Sequence, residues 1–418
     1  MDNNGKYKIL VLSDHALSTS GVGTQTRHLL TGLIKKGCWT FRQFGAALKH
    51  TDYRTVVVDD DLIIKPIDGF GNPDLIRVTI ATEKPDAIFL FTDPRFFIWL
   101  FEMEDEIHQN CPIVWWHVWD NYPFPEYNDV LYQATDLINC HSHMTYKMIK
   151  ERYPNKTNFI PHALPKELYF PISERDKRQN KIEILGKERE DHFVGIWVNR
   201  NAKRKRPSDV LLSWSLFLNR LEKEKGHKKA TLIMHTDPLD SEGPNLYKVV
   251  ENLNIQENVF FSTQRIEFEK MNILYNISDF CINLSFAEGF GLSTLESMMT
   301  GTPIIAAKTG GLTRQVVDHR DNTENGIALE IKTKTLVGSQ SVPYIYEDYA
   351  DVEDAANGMI TLYEKNDYEK EMLSKKVYDY ATKEFGIQKT VDMWHDTLLK
   401  TIKEFKKSKK QTWESFEL

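Results

Sequence analysis

The chain has few cysteines, and none of them are closely paired. Its four cysteines lie far apart, without a Cys-x-x-Cys spacing. This usage indicates reduced thiols in a cytoplasmic protein, with a single disulfide pair as the alternative. The polar N-terminus, MDNNGKYK, differs from a secretory signal, which agrees with a cytoplasmic location.

Long apolar runs are missing as well. The most apolar stretch, residues 87–101, is too short to span a bilayer and is interrupted by an Asp-Pro-Arg sequence. It predicts a buried strand followed by an amphipathic helix. At most, Phe96, Phe97 and Trp99 would make a peripheral membrane contact. No transmembrane segment is expected.

Positive charge is not in excess. The formal net charge of −7 gives no overall attraction to nucleic acid or to an anionic membrane. The hydrophobic fraction of 41% and the charged fraction of 27% are typical of a soluble globular protein. At 418 residues the chain is longer than a single hydrophobic core ordinarily supports, so we expect two domains.

Short β-branched runs alternate with helical patterns along both halves of the chain. KILVLSD (8–14) predicts a strand, and residues 24–37 predict the helix that follows it. This alternation indicates parallel sheets in an α/β fold, with two doubly wound, Rossmann-like domains facing across a cleft. In such sheets, ligands bind beyond the carboxyl ends of the strands.

A change in composition suggests where the domains divide. Residues 173–192 are charged and lack a long apolar run, which is typical of a linker. We therefore expect an N-terminal domain over 1–172 and a C-terminal domain over 193–385. The tail, 386–418, is predicted to be a helix that packs back toward the N-terminal domain.

Glycines precede the first helix. Gly21 and Gly23 follow the first strand, where glycine permits close backbone approach and a helix N-terminus favours an anion. The third small residue of a dinucleotide fingerprint is missing, because Thr26 stands there. The motif predicts phosphate or ligand contact, with a plain tight turn as the alternative.

A basic segment, 198–209, follows a strand of the second half. Its Arg200 and Lys205 could converge on one diphosphate, because a guanidinium forms forked hydrogen bonds and an ammonium acts as a point charge. The alternative is a solvated basic loop. The position at a strand end favours the ligand role.

Two acids bracket a glycine turn in SFAEGFGLSTLESMMTGTP (285–303). The turn runs into a short helix, so its free amides predict a phosphate site. Glu288 precedes the turn, and Glu296 lies about one helical turn inside. Carboxylates bind vicinal sugar hydroxyls well, so the acids would hold sugars on either side of a diphosphate. Alternatively, Glu288 caps the helix and Glu296 is a surface residue. The amides belong to Gly289, Phe290, Gly291 and Leu292.

One histidine stands at the end of an aromatic strand. His117 closes WWH, and Asp120 follows three residues later. A lone histidine is commonly a core residue, but this strand end favours a ligand role. The His-Ser-His sequence at 141–143 has no cysteine or carboxylate at ligand spacing, so no metal site is expected.

Taken together, these motifs resemble the retaining glycosyltransferases of the GT-B fold, family 4 of the glycosyltransferase classification (glycosyl transferases group 1). Glu288 and Glu296 are similar to the E-x7-E signature, and Arg200 and Lys205 to the Arg-x4-Lys pair. Three segments also match in order: NFIPHALPKELYFP (158–171) resembles IPNGVD…F-x-P, SDFCINLS (278–285) the strand before the acids, and GTPIIAAKTGG (301–311) the segment after them. The resemblance covers residues 8 to about 330.

The resemblance implies a role for each site residue. Glu288 would bind donor-sugar hydroxyls, Glu296 the nucleotide ribose, and Arg200 with Lys205 and the turn amides the diphosphate. His117 would contact the donor sugar, with Asp120 orienting it. The loop of Gly21 and Gly23 would approach the diphosphate and the acceptor. No metal or other cofactor is implied, since cationic side chains and helix dipoles stabilise the leaving diphosphate.

Two departures limit what the resemblance implies. Ser20-Gly21-Val22-Gly23 replaces the usual Gly-Gly, and HTDPLDSEGPN (235–245) replaces a glycine-rich turn beside the base. The donor base, UDP or GDP, therefore stays open, as do the hexose and the oligomeric state. The acceptor could be a glycan, a lipid or a protein. KRKR (203–206) weakly suggests a modified nucleic acid. Alternatives to transfer are another GT-B enzyme, such as a sugar-nucleotide epimerase or a phosphorylase, or a non-catalytic sugar-nucleotide-binding subunit.

Overall fold

The computed structural model describes residues 5–48, 50–264 and 266–411. The chain divides into two compact units. The first unit contains residues up to 163 and returns at 387, and the second contains 164–386. The expected boundary at 172 differs, because the segment that follows residue 163 packs in the second unit, where Leu164 and Tyr169 lie in a buried core.

The first unit contains one eight-stranded sheet in the order β3-β4-β2-β1-β5-β6-β7-β8. The β3–β4 pair is antiparallel, and the other pairs are parallel. Its strands are β1 (Tyr7–Asp14), β2 (Trp39–Ala46), β3 (Val56–Asp59), β4 (Leu62–Pro66), β5 (Ala87–Thr92), β6 (Ile113–His117), β7 (Leu137–Cys140) and β8 (Thr157–Phe159). The helices between them are α1 (Gly21–Ile34), α2 (Pro73–Glu83), α3 (Ile98–Phe101), α4 (Glu104–His108), α5 (Asp129–Gln133) and α6 (His143–Arg152).

Apolar sequence places the central strands inside. Every residue of β5 and β6 is buried, as parallel sheets covered on both faces require. The helix expected at 24–37 begins at Gly21, three residues earlier. Ser20 causes the difference, because its hydroxyl accepts a hydrogen bond from the Gly23 amide at 3.0 Å and caps the helix there.

The second unit contains a six-stranded parallel sheet in the order β11-β10-β9-β12-β13-β14 and an antiparallel pair, β15–β16. Its strands are β9 (Phe193–Val198), β10 (Ala230–His235), β11 (Val259–Ser262), β12 (Phe280–Asn283), β13 (Ile304–Ala307), β14 (Gly326–Leu329), β15 (Ile331–Val337) and β16 (Ile345–Ala350). Its helices are α7 (Glu174–Leu185), α8 (Pro207–Lys225), α9 (Leu246–Asn252), α10 (Phe268–Asn276), α11 (Leu292–Met299), α12 (Thr313–Val316), α13 (Val352–Tyr363) and α14 (Asp367–Glu384). The predicted α/β class with two parallel sheets is confirmed.

The segment expected to be a linker, 173–192, contains the helix α7. The Ser173 hydroxyl accepts from the Asp176 amide at 3.2 Å and caps the first turn. Lys177 and Glu174 form an ion pair of 2.7 Å one turn apart. Leu185 is the one described residue of this helix that is fully buried. Capping and charge pairs therefore form a helix where the apolar pattern is too sparse to predict one.

The last helix, α15 (Ile387–Gln411), belongs to the first unit. It crosses α1 closely at Gly32, where a Cβ would lie 2.3 Å from Val391. Trp394 is fully buried between Phe89 and Trp116, with ring centroids 5.1 and 5.3 Å away. The tail is thus part of the first unit's core.

Among the residues described, no helix combines the length and apolar character that a bilayer crossing requires. Phe97 is a core residue, whereas Phe96 is 52% exposed and stacks on Phe70 at 4.6 Å. A peripheral contact through Phe96 stays a prediction. The four cysteines all lie in the described part and are free thiols.

Candidate functional site

The glycine turn of the second unit is held from one side by a glutamine. Gln315 donates its amide hydrogens to the Phe290 and Gly291 carbonyls at 2.7 and 3.0 Å. The Thr294 hydroxyl donates to the Gly291 carbonyl at 2.8 Å. Gly291 has φ +91°, a left-handed conformation that glycine adopts without strain. These contacts fix the turn that leads into α11.

The glycine turn also packs closely against Gly311 of a second glycine pair. A Cβ on Gly311 would lie 2.4 Å from the Phe290 Cα and 2.5 Å from the Gly289 carbonyl. The Gly311 amide donates to the Glu288 carbonyl at 3.0 Å. Only glycine permits this approach. The role of Gln315 was not predicted, because a single glutamine carries no signal in the sequence.

The N-terminus of α11 can receive an anion. In the described residues around Gly291, no side chain caps this end of the helix. The first amides of a helix lack partners within it and carry a partial positive charge. Leu292 is the first helical residue. The residues of the predicted amide site therefore lie at the start of a helix, and their role in binding a phosphate stays a prediction.

Glu288 is an ionised acid in a nearly closed position. It is 8% exposed, and the Lys205 ammonium donates a hydrogen bond to its Oε2. The Arg204 Nη1 lies 3.6 Å from the same oxygen, and the Ser285 hydroxyl donates to it at 3.3 Å. Burial would raise the pKa of Glu288, but Lys205 and Arg204 outweigh burial and hold this pKa below its usual value.

Arg200 is held by a different acid. Its Nε and Nη2 donate to the two Asp240 oxygens at 2.7 and 3.1 Å. Hydrogen bonds from Arg200 lower the pKa of Asp240, which keeps the carboxylate ionised. The structure therefore places Lys205 against Glu288 and Arg200 against Asp240. The sequence indicated neither ion pair, because each joins residues far apart in the chain.

The basic run KRKR turns largely inward. Arg204 donates to the Ala287 carbonyl at 2.6 Å. The Arg206 guanidinium lies 4.9 Å from the Tyr349 ring centroid and donates to the Ala350 carbonyl at 3.1 Å. Arg204, Lys205 and Arg206 thus have partners inside the second unit. The run is a structural element of this unit rather than a uniformly solvated patch.

Glu296 is surrounded by hydroxyl groups. The Tyr275 hydroxyl donates to its Oε2 at 2.7 Å, and the Tyr169 hydroxyl donates to the same carboxylate. Burial raises the pKa of Glu296 to about 7, although the two tyrosines oppose this increase. The two acids that bracket the glycine turn therefore differ, since the pKa of Glu288 lies below its usual value and the pKa of Glu296 is about 7.

The glycine loop of the first unit is a tight capped turn. A Cβ on Gly23 would lie 2.1 Å from the Ser18 Oγ and 2.6 Å from the His15 carbonyl. The Ser20 hydroxyl donates to the Asp14 carboxylate at 2.6 Å. Gly21 is exposed at the first helical position. The ligand role of the two glycines stays a prediction.

His117 lies inside the first unit. It is 1% exposed, and its Nε2 is 2.8 Å from the Tyr132 hydroxyl. Burial lowers the pKa of His117 well below its usual value, so the ring is neutral. This environment is that of a core histidine, and the sugar contact proposed for His117 stays a prediction, as does the role of the half-buried Asp120.

The His-Ser-His sequence also packs rather than opening into a site. The His141 ring stacks on His162, with centroids 4.5 Å apart. Within the ranges that the structure describes, no group of three or more histidine, cysteine, aspartate or glutamate side chains is placed to hold a metal ion.

Comparisons with known proteins identify a family match in the second unit and several relatives of the chain. Residues 180–379 match the family described as Glycosyl transferases group 1. N-acetyl-alpha-D-glucosaminyl L-malate synthase of Bacillus anthracis is 26% identical over 224 residues, which is 52% of this chain and 52% of that protein. D-inositol 3-phosphate glycosyltransferase 2 of Catenulispora acidiphila is 31% identical over 136 residues, or 32% of this chain and 31% of that protein. The chain thus spans about half or less of these curated relatives.

Solved structures match over nearly the whole chain. Sucrose-phosphate synthase from Thermosynechococcus elongatus has a TM-score of 0.73 and 16% identity, and the match covers 96% of this chain and 100% of that one. Anabaena HepE in complex with UDP and glucose has a TM-score of 0.68 and 17% identity, and the match covers 94% and 99%. At these identities the likeness concerns the fold.

Proposed function

We propose that the chain transfers a hexose from a nucleotide-diphosphate sugar to an acceptor hydroxyl, with retention of configuration, because residues 180–379 match the glycosyl transferases group 1 family and the chain has the GT-B fold. One observation carries the proposal. Glu288, whose pKa is lowered, precedes the N-terminus of α11, and Glu296, whose pKa is about 7, follows it. Lys205 donates a hydrogen bond to the first of these acids.

Each part of this arrangement suits one part of the donor. The amides of the turn and Lys205 bind the diphosphate, and Arg200 joins them when it leaves Asp240. Glu288 accepts hydrogen bonds from hydroxyls of the transferred sugar, and Glu296 accepts them from the ribose. A carboxylate has about four acceptor positions, which suits vicinal hydroxyls. UDP or GDP is the proposed carrier, and HepE supports the former only by likeness of fold.

The proposed transfer needs no protein nucleophile. The acceptor oxygen bonds to the anomeric carbon on the face from which the diphosphate leaves, and the bond between that carbon and the phosphate oxygen breaks. The departing phosphate oxygen takes the acceptor's proton. The cations and the helix N-terminus stabilise the charge that develops on this oxygen, so metal independence is part of the proposal. A cytoplasmic location is proposed from the four free thiols.

A donor screen tests this proposal. The full chain is incubated with UDP-, GDP- and ADP-sugars, and both its melting temperature and the release of nucleoside diphosphate are measured. A bound donor raises the melting temperature by mass action. We expect one base to give a shift and slow hydrolysis of its sugar. If no nucleotide sugar shifts the melting temperature, the proposal is wrong, and binding without release for any acceptor would favour a non-catalytic subunit.

Neutralising Asp240 is expected to strengthen nucleotide binding. Asp240→Asn removes the charge that holds Arg200 and repels a diphosphate, but it keeps the oxygen that accepts from the Glu242 amide at 3.0 Å. We expect the affinity for the nucleoside diphosphate to rise about three- to fivefold at low salt, the scale of an exposed ion pair. Calorimetric titration measures this change.

Glu242→Gln is the matched control for Asp240→Asn. Glu242 lies in the same loop and acts on Arg200 only through its charge. The control variant is expected to change the affinity by less than the Asp240 variant does. An affinity that is unchanged or weaker in Asp240→Asn would show that Arg200 does not serve the diphosphate.

A further inference from the structure

Two buried tyrosines share one acid in the second unit. Tyr275 of α10 is fully buried and Tyr169 is 1% exposed, and both hydroxyls donate to the Glu296 carboxylate. Their rings pack edge to face, with centroids 6.1 Å apart. A buried tyrosine hydroxyl requires a partner, and here the partner is the acid that the proposed function assigns to the ribose.

The segment that carries Tyr169 is fixed to α10 by two asparagines. Asn272 accepts from the Phe170 amide at 3.0 Å. Asn276 accepts from the Ile172 amide and donates to the Phe170 carbonyl, both at 3.0 Å. Because both asparagines are buried, these bonds set the position of the Tyr169 ring.

We infer that Tyr169 and Tyr275 are positioning residues, which orient the Glu296 carboxylate toward the ribose hydroxyls and make recognition of the ribose depend on pH. This inference rests on the proposed function. Two of the roughly four acceptor positions of the carboxylate are occupied by the tyrosines, which leaves two for vicinal hydroxyls. Since both donors are fixed in the core, the open positions have a fixed direction.

The direction of the pH dependence follows from the charge of Glu296. The pKa of this acid is about 7, so the ionised form, which only accepts hydrogen bonds, predominates above neutrality. Its titratable neighbours are the two tyrosine hydroxyls and the Cys281 thiol of β12. Burial raises the pKa of each of these three groups above its usual value, so none of them titrates between pH 6 and 8. Ribose recognition should therefore strengthen as pH rises from 6 to 8.

Removing either hydroxyl shifts this dependence. Tyr275→Phe and Tyr169→Phe each remove a hydrogen bond that favours the ionised acid, so the pKa of Glu296 rises. The midpoint of ribose recognition then moves to higher pH, by about one pH unit for the loss of one bond to a charged group. A purely structural tyrosine would lower stability without moving this midpoint.

The experiment compares UDP with 2′-deoxyUDP, or the GDP pair if the donor screen selects guanine. The ratio of the two dissociation constants is measured by calorimetry from pH 6 to 9. The terminal phosphate also titrates near pH 6, but it is present in both probes and cancels in the ratio. For the unmodified chain we expect 2′-deoxyUDP to bind about tenfold more weakly at pH 8, and the ratio to approach one at pH 6.

Three kinds of variant test whether the ratio of the two dissociation constants depends on Glu296 and its tyrosines. In Tyr275→Phe and Tyr169→Phe it should be small at pH 7 and recover at pH 9. In Glu296→Gln it should stay near one throughout. Tyr380→Phe is the matched control, because Tyr380 is buried in the same unit but donates to the Arg314 carbonyl at 2.5 Å. This variant should follow the unmodified chain.

The outcomes separate the two proposals. If no nucleotide binds the unmodified chain, the proposed function is wrong. If UDP binds but the ratio does not vary with pH, or if the tyrosine variants follow the Tyr380 control, only the inference is overturned. The two tyrosine variants test the same point independently, so a folding defect in one of them leaves the other decisive.

Discussion

Glu288→Gln is expected to lower turnover about 100- to 1,000-fold, with a change of less than about threefold in nucleotide affinity. The substitution keeps the shape of the side chain but removes a charge that Lys205 and Arg204 hold ionised. In the proposed reaction this acid serves the transferred sugar rather than the nucleotide. Turnover with the donor from the screen and calorimetry with the nucleoside diphosphate measure the two effects separately.

Glu296→Gln is the comparison for this variant. It should mainly weaken donor binding, because Glu296 is assigned to the ribose, and turnover at saturating donor should largely persist. Small and equal effects from both substitutions would mean that neither acid acts on a donor. The glycine turn would then be a structural turn that the two acids merely flank.

Lys205→Met is expected to reduce the free energy of unfolding by about 3–5 kcal/mol. The substitution leaves the Glu288 carboxylate, which is 8% exposed, without its closest cation, since the Arg204 guanidinium is 3.6 Å away. Adding Glu288→Gln to Lys205→Met removes the unpaired charge and should restore most of the loss. Chemical denaturation of the full chain gives both values, and the difference between the single and double variants isolates the pair.

An exposed ion pair supplies the control for Lys205→Met. Lys248 and Glu251 are 2.6 Å apart, and their side chains are 74% and 59% exposed. Lys248→Met should change the free energy of unfolding by less than about 1 kcal/mol. If Lys205→Met costs no more than this, the Lys205–Glu288 pair does not hold the site together.

The sequence predicts the fold class because a strand that is buried on both faces of a parallel sheet consists of an unbroken run of apolar residues. β5 and β6 are such strands, since every one of their residues is buried. Helix α7 has no comparable apolar pattern, because its stability comes from the Ser173 cap and from charge pairs rather than from an apolar face. The expected boundary at 172 differs from the division after residue 163 for a related reason, since Tyr169 packs against Tyr275 of α10, about a hundred residues later in the chain.

The partners of the predicted site residues could not be read from the sequence. The two acids, the two cations and the glycine turn are visible in the sequence by spacing. That Arg200 pairs with Asp240, and Lys205 with Glu288, depends on strand order, which brings distant loops together. Gln315 holds the turn through hydrogen bonds to backbone carbonyls, and such bonds require no recognisable pattern. His117 shows the opposite case, a strand-end residue that packing encloses.

The return of the chain to the first unit at residue 387 has a consequence for biosynthesis. On the ribosome, residues 164–386 emerge as one continuous piece and hold the whole second unit. The first unit, although most of it is made earlier, lacks Trp394 and the close contact of Val391 with Gly32 until the C-terminal helix appears. Domains usually fold as units during synthesis. In this protein, therefore, the half that is translated first is the half that is finished last.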